Sequence, residues 1–86
     1  MAQTRIYSVK DEMVGKYHNP TFIAEGEHSE DEAIRIFKMS VNGNPLWNNS
    51  PNDFTLYQIG TFDDETGVFT TCKKEIIGAK AVKGKE

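Results

Sequence analysis

The stretch DFTLYQIGTFDDETGVFTTC, residues 53–72, decides the fold. Two runs of β-branched and aromatic residues, 54–62 and 68–71, flank an acidic segment that ends at Gly67. Loops of this composition join the strands of β-hairpins, because a glycine can take the positive φ that such loops need. We therefore expect one antiparallel hairpin in this stretch.

The predicted hairpin carries apolar side chains on both faces. Alternate residues of a strand point in opposite directions, which places Phe54 and Leu56 on one face and Tyr57 and Ile59 on the other. Sheets that are apolar on both faces are normally covered on both. Since one helix can cover only one face, we expect the C-terminal tail or a second subunit to cover the other.

Two strands and one helix are expected before the hairpin. Residues with high β-propensity predict strands at 4–10 and 21–24. Ser29 followed by Glu32 fits a capping box, and three acidic residues in the first turn suit the helix dipole. Apolar residues then recur at helical spacing, and Gly43 is expected to end the helix as a left-handed cap.

The remaining segments complete an α+β fold. Two prolines predict a loop over residues 44–52. Residues 73–78 are expected to form a short extended or helical piece, and residues 79–86 a flexible basic tail. The prediction is a single domain, residues 1–78, with about four antiparallel strands in the order β-β-α-β-β and one helix on one face of the sheet.

Size and composition indicate a small globular protein. With 86 residues and 37% hydrophobic content, the chain suits one domain whose stability is marginal unless it oligomerises. No apolar run approaches the roughly 20 residues of a membrane helix, and the N-terminus lacks the apolar core of a signal peptide. A single cysteine, Cys72, suits a protein kept reduced in a cytoplasm.

The net charge of −3 is divided unevenly along the chain. Residues 1–72 carry 5 basic and 11 acidic side chains, whereas residues 73–86 carry 5 lysines and 2 acidic residues. The acidic body disfavours general binding of nucleic acid, but the basic end can contact phosphates locally.

No residue pattern predicts catalysis, a cofactor or a metal. His18 and His28 lie at no metal-ligand spacing with Cys72. The chain has no nucleophile motif and no glycine-rich phosphate loop. The acidic residues 63–65 could hold a divalent cation, but a solvated turn accounts for them. We expect a protein that is not an enzyme and binds neither cofactor nor metal.

Aromatic residues offer a second kind of site. Proteins that bind single-stranded nucleic acid place aromatic rings beside a basic groove. Trp47 and Tyr57 are our candidates for stacking, with the C-terminal lysines as the nearest positive charge. The competing interpretation is that the aromatic residues belong to the core or a subunit interface, as we expect for Phe37 and Phe54.

Four motifs together resemble a known viral family. They are IYSVKD at residues 6–11, NPTF at 19–22, AIRIF at 33–37 and LYQIGTFDDETG at 56–67. The chain resembles the small nonstructural protein, the product of the fifth reading frame, of gokushovirus-type single-stranded DNA bacteriophages (Microviridae). The Gly-x-Phe-Asp-Asp-x-Thr-Gly run is the most specific part of a likeness that covers residues 5–78. Residues 25–28 and the lysine-rich tail depart from the family pattern.

The resemblance implies a non-enzymatic protein of the host bacterial cytoplasm that associates with single-stranded phage DNA or the replication complex. It would assist the switch from replicative-form to single-strand synthesis and the packaging of the genome into procapsids. We expect a homodimer with no membrane contact. Our candidates for DNA contact are Lys73, Lys74, Lys80, Lys83, Lys85, Arg5, Arg35, Lys38, Tyr57 and Trp47. The alternative is a protein-interaction module that docks on a phage replication or scaffold protein, or on a host factor, without contacting DNA.

Overall fold

The computed structural model of the chain describes residues 3–82. In chain order these form β1 (Gln3–Asp11), β2 (Lys16–Tyr17), β3 (Thr21–Ala24), α1 (Ser29–Gly43), α2 (Pro45–Asn49), a 3-10 turn (Pro51–Asp53), β4 (Phe54–Asp63), β5 (Val68–Gly78) and α3 (Ala79–Val82). The predicted α+β class is confirmed. Within these residues the sheet has five strands rather than about four, because the loop after β1 contributes the short strand β2.

All strand pairs of the sheet are antiparallel, and β1 and β4 are its central strands. β4 pairs along the whole length of β1 on one side. β2 and β3 share the other side of β1, opposite its C-terminal and N-terminal halves respectively. β5 pairs with β4 and forms the opposite edge of the sheet.

The predicted hairpin is confirmed as β4 and β5. Gly67 has a φ of 74°, and its amide donates to the Asp63 carbonyl over 2.8 Å. The Asp63 carboxylate accepts from the backbone N–H of Glu65 over 2.9 Å, so the acidic segment acts as a turn that caps its own backbone. The register between the two strands shifts twice, which marks β-bulges in the ladder.

The hydrophobic core lies on one face of the sheet, which we call the helix side. Phe37 and Val41 of α1 pack into one cluster with Tyr7, Phe54 and Leu56 of the sheet. The expected core positions Phe37 and Phe54 are each only 2% exposed. The predicted single layer of helix on one face is therefore present, and α3 adds to the same layer.

Both predicted caps of the long helix are wrong. The N-cap is His28, without a side-chain cap, while the Ser29 hydroxyl donates to the Gly26 carbonyl over 3.2 Å. At the other end, Gly43 does not adopt positive φ, and the chain leaves α1 through an extended Asn44. The acidic first turn accordingly stabilises the start of α1 through the helix dipole rather than through a capping box.

The segment 44–52 is helical rather than a loop. Pro45 and Pro51 each begin a short helical element, where the missing N–H of proline costs no hydrogen bond. The Asn44 side chain caps α2 by accepting from the backbone N–H of Leu46 over 3.0 Å. The two prolines end one helix and start two others, a role the loop prediction missed.

The predicted flexible tail is wrong for residues 79–82. Residues 73–78 continue β5, and α3 follows directly. Ala79 is 0% and Val82 7% exposed, because these two apolar residues at helical spacing pack into the core of the helix side. This part of the tail therefore covers the helix side and not the other face. Residues 83–86 lie outside the described range.

Candidate nucleic-acid interface

The face of the sheet opposite the helices is the open face. Tyr7 belongs to the core of the helix side, so its neighbours in β1, Ile6 and Ser8, point the other way. Residues directly opposite each other in neighbouring strands share a face, which extends the assignment across the sheet. The open face carries Ile6, Lys10, Tyr17, Phe22, Tyr57, Phe62, Phe69 and Lys73.

Two tyrosines and two lysines meet at one end of the open face. The ring centroids of Tyr17 and Tyr57 are 5.9 Å apart, with an edge-to-face angle of 68°. Lys73 Nζ lies 5.8 Å from the centroid of each ring, and Lys10 Nζ lies 5.7 Å from that of Tyr17. We call Lys10, Glu12, Tyr17, Tyr57 and Lys73 the tyrosine–lysine cluster.

Four strands contribute to this cluster. The turn after β1 passes through Gly15, whose φ is 71°, and returns Tyr17 of β2 to a position opposite Lys10. Tyr57 lies on the central strand β4, and Lys73 on the edge strand β5. A cationic site flanked by two rings thus depends on the sheet register, because these residues are distant in sequence.

Hydrogen bonds and charges fix the protonation of the cluster. The Tyr57 hydroxyl donates to Glu12 Oε2 over 3.2 Å, and Lys10 Nζ lies 3.4 Å from Glu12 Oε1. Partial desolvation opposes ionisation of Glu12, but the hydrogen bond from Tyr57 and the charge of Lys10 lower its pKa. Interaction with the Tyr17 hydroxyl raises the pKa of Lys73. At neutral pH Glu12 is therefore a carboxylate and Lys73 an ammonium group.

A purely apolar group lies at the other end of the open face. The rings of Phe62 and Phe69, opposite each other on β4 and β5, have centroids 4.9 Å apart. Phe69 is 61% and Phe22 54% exposed. Beside them Ile6 is only 5% exposed, although the helices lie on the other side of the sheet. We call Phe22, Phe62 and Phe69 the phenylalanine patch, which shields Ile6 and leaves much of its own surface to solvent.

The residues predicted to contact DNA do not share one surface. Lys73 lies on the open face, whereas the adjacent Lys74 lies on the helix side with its Nζ 3.7 Å from Glu30 Oε1. Arg5, opposite the buried Ile23, is likewise on the helix side, and its guanidinium lies 3.7 Å from a carboxylate oxygen. Of these three cations, only Lys73 therefore lies on the open face, and Lys74 and Arg5 lie on the helix side beside carboxylates.

The other predicted cations lie on helices or outside the described range. Arg35 and Lys38 are exposed on α1, and Lys80 is exposed on α3. Lys83 and Lys85 follow the last described residue. None of the three described cations is within the tyrosine–lysine cluster.

Trp47 folds back over the helix side. Its ring stacks on Phe54 with centroids 5.1 Å apart and an interplanar angle of 22°, and the His18 ring lies 5.0 Å away. The side chain is half-buried against the core. Of the two aromatic candidates, only Tyr57 lies on the open face.

The site prediction from sequence contains two of these eight residues of the open face, Tyr57 and Lys73, and omits the other six: Ile6, Lys10, Tyr17, Phe22, Phe62 and Phe69. The usable signal was the alternation in β1, since Lys10 comes three positions after Tyr7 and the two side chains therefore face opposite sides. Tyr17 carried no such signal, because its strand is only two residues long and lies after a turn.

Three further observations concern the cavity, metal-binding groups and membrane spans of the described residues. A cavity of about 190 Å³ between α1 and the sheet is lined mainly by core side chains, among them Tyr7, Phe37 and Trp47. Within residues 3–82 no group of three His, Cys, Asp or Glu side chains is placed to hold a metal ion. No helix in that range is long and apolar enough to cross a membrane.

Comparison with known proteins adds one match. The model of a family described as "Phage ORF5 protein" matches residues 4–83 of this chain, which is almost its full length. No curated protein and no solved structure matches the chain.

Proposed function

Because the chain belongs to the family of phage ORF5 proteins, we propose that it binds single-stranded DNA through the open face. Through this binding it assists the switch to single-strand synthesis and the packaging of the phage genome in the host bacterial cytoplasm. The more specific kinship with gokushovirus-type phages is part of the same proposal.

One observation carries the proposal: Tyr17, Tyr57 and Lys73 converge on a sheet face that no described helix covers. Aromatic rings on the exposed face of an antiparallel sheet are the surface on which several nucleic-acid-binding domains stack unpaired bases. Each stacked base contributes about 1–3 kcal/mol, and the ammonium group of Lys73 is close enough to the rings to meet the adjoining phosphate.

The chemistry of the open face selects single strands. In a duplex the faces of the bases are stacked on each other, so only groove edges and phosphates are accessible. The open face offers ring faces and only two lysines. It also carries two carboxylates, that of Glu12, 3.4 Å from Lys10, and that of Glu75, which lies opposite Tyr57. A protein surface with so few cations binds duplex DNA weakly, because the affinity of proteins for a duplex comes chiefly from phosphate contacts.

The number of lysines sets a measurable salt dependence. For single strands, the logarithm of the binding constant falls with the logarithm of salt concentration with a slope of about −0.7 per phosphate contact. Contacts from Lys10 and Lys73 give a slope of about −1.4. Binding by the five C-terminal lysines, the pattern expected from sequence, would give about −3.5.

The experiment is a fluorescence-anisotropy titration of a labelled oligothymidine at several salt concentrations. Lys73→Gln and Lys74→Gln are matched variants, because they remove the same charge from adjacent residues of one strand that face opposite sides. We expect Lys73→Gln to halve the salt slope and Lys74→Gln to leave it unchanged. Tyr57→Ala should weaken binding roughly 5- to 150-fold through the lost stacking.

Equal effects of the two lysine variants would refute binding by the open face. If the wild-type protein ignores the oligonucleotide even at low salt, DNA binding itself is wrong. The protein-interaction function then takes its place, and the exposed phenylalanine patch is the surface that favours it.

The proposed role in the replication switch has its own test. A protein that covers single-stranded DNA hinders a polymerase from converting it to duplex. We expect wild-type protein to slow primer extension on a circular single-stranded template, and Lys73→Gln to slow it less than Lys74→Gln does. Extension at an unchanged rate with template saturated by protein would contradict the role in switching and leave DNA binding intact.

A further inference from the structure

We propose that two copies of the chain pair through β5, antiparallel to each other about a twofold axis at Lys74, and form one continuous sheet. β5 is an edge strand of 11 residues, and residues 68–75 are all exposed. It contains no proline, and within residues 3–82 no other strand pairs with its outer edge. Such an edge offers a row of backbone donors and acceptors to a further strand.

Charge complementarity commits the edge to a second copy and fixes the register. Glu75 pairs with Tyr57, and Lys73 lies against the Tyr57 ring, so both are on the open face, while Lys74 is on the helix side. In an antiparallel pair, residues directly opposite share a face. A twofold axis at Lys74 therefore sets Lys73 of each copy opposite Glu75 of the other and forms two symmetric ion pairs.

The same register brings the two Lys74 side chains together on the helix side. Each Lys74 Nζ already lies 3.7 Å from Glu30 Oε1 of its own chain. These two carboxylates reduce the repulsion between the two lysine charges. An axis at Lys73 or at Glu75 would place that residue opposite its own copy, so like charges would face each other on the open face. An axis at Cys72 would place neither Lys73 nor Lys74 opposite Glu75 of the other copy. Only the axis at Lys74 combines opposite charges.

This inference goes beyond the proposed function, because a single open face needs no partner to stack bases. An axis perpendicular to the sheet keeps both open faces on the same side. The two tyrosine–lysine clusters then flank the axis, since Lys73 is adjacent to the residue on it. The dimer would offer one DNA strand two clusters on one continuous surface, which raises affinity through effective concentration.

The first test is a charge exchange followed by sedimentation velocity without DNA. Lys73→Glu should raise the dimer dissociation constant at least tenfold, because like charges then face each other across the axis. Adding Glu75→Lys to the same chain should restore the wild-type constant. Lys80→Glu, an equal charge change on α3, is the control and should have no effect. Circular dichroism verifies that each variant is folded.

The second test reads the register by disulfide formation. Residues on the axis have Cα atoms about 4.5–5.5 Å apart, within reach of a disulfide, whereas Cys72 would be four residues out of register with its copy. We expect mild oxidation to crosslink a Lys74→Cys, Cys72→Ser variant and to leave wild-type chains uncrosslinked. A monomer at several hundred micromolar, a dimer insensitive to Lys73→Glu, or efficient crosslinking through native Cys72 would each overturn the proposal.

Discussion

The close approach of β4 and β5 at Gly60 gives a direct prediction of stability. Gly60 is buried between Ile6 of β1 and Thr71 of β5, midway between the tyrosine–lysine cluster and the phenylalanine patch. A Cβ atom on Gly60 would lie 2.7 Å from the backbone oxygen of Thr70. Ordinary contact begins at 3.4 Å, so Gly60→Ala forces the two strands apart by about 0.7 Å.

The expected cost combines two opposing contributions. Overpacking a tight site costs about 1–3 kcal/mol, and here the obstacle is backbone, which cannot rotate away. Replacing glycine reduces the entropy of the unfolded chain and returns about 0.4–1 kcal/mol. We therefore expect Gly60→Ala to lower the free energy of unfolding by about 1–2 kcal/mol. For a domain of this size the melting temperature then falls by roughly 4–16 °C.

The assay is thermal and urea unfolding followed by circular dichroism. Gly43→Ala is the matched control, because a Cβ there meets no atom within 4 Å and the residue has no positive φ. This control should keep or slightly raise the melting temperature. A Gly60→Ala protein as stable as wild type would refute the close approach, and with it the register that aligns the two ends of the open face.

Two further predictions concern the C-terminal helix and the hydrogen bond between Tyr57 and Glu12 in the tyrosine–lysine cluster. Val82→Ser should lower the free energy of unfolding by most of the roughly 1.5–3 kcal/mol that burial of a valine contributes. Lys80→Ser, on the exposed side of α3, should change it little. Equal effects of the two variants in urea unfolding would mean that α3 does not pack against the core. The lowered pKa of Glu12 means that its contribution to stability is fully present above its ordinary value of 4.5 and is lost as the pH falls through the folded-state pKa. Tyr57→Phe removes the hydrogen bond to Glu12, so it should destabilise the protein more at pH 7 than at pH 3, and a urea midpoint shifted equally at both would contradict this bond.

Local sequence signals predicted the elements whose stability is local. The hairpin followed from an acidic segment ending in Gly67, and the positive φ of that residue is as expected. The extent of α1 and the burial of Phe37 and Phe54 followed from apolar periodicity. In the hairpin turn and along the helix, the determining pattern lies within a few residues of the chain.

The errors have two different origins. Ser29 has a good capping side chain, but its hydroxyl donates to the carbonyl of Gly26, three residues earlier, so a competing local bond removes the expected cap. Ala79 and Val82 look like part of a charged tail in the sequence, yet the core formed by α1 and β4 buries them. This second outcome depends on packing that exists only once the sheet has formed.

The candidate site was partly predictable for the same reason. Tyr57 and Lys73 were selected from composition, but Lys74 was selected with them, although the strand directs it to the other side. Trp47 was an open choice between solvent and core, and stacking on Phe54 decided it. Tyr17 joins the cluster only through the register of β1 and β2, which no pattern in the sequence indicates.

Amide chemical-shift mapping during titration with an unlabelled oligothymidine at low salt tests the central claim most directly. If single-stranded DNA binds the open face, the largest shifts will occur at Tyr17, Tyr57 and Lys73, while Lys38 and Lys80 on the helices stay unchanged. Shifts concentrated on α1 and α3, or no shifts at saturating oligonucleotide, would contradict the claim.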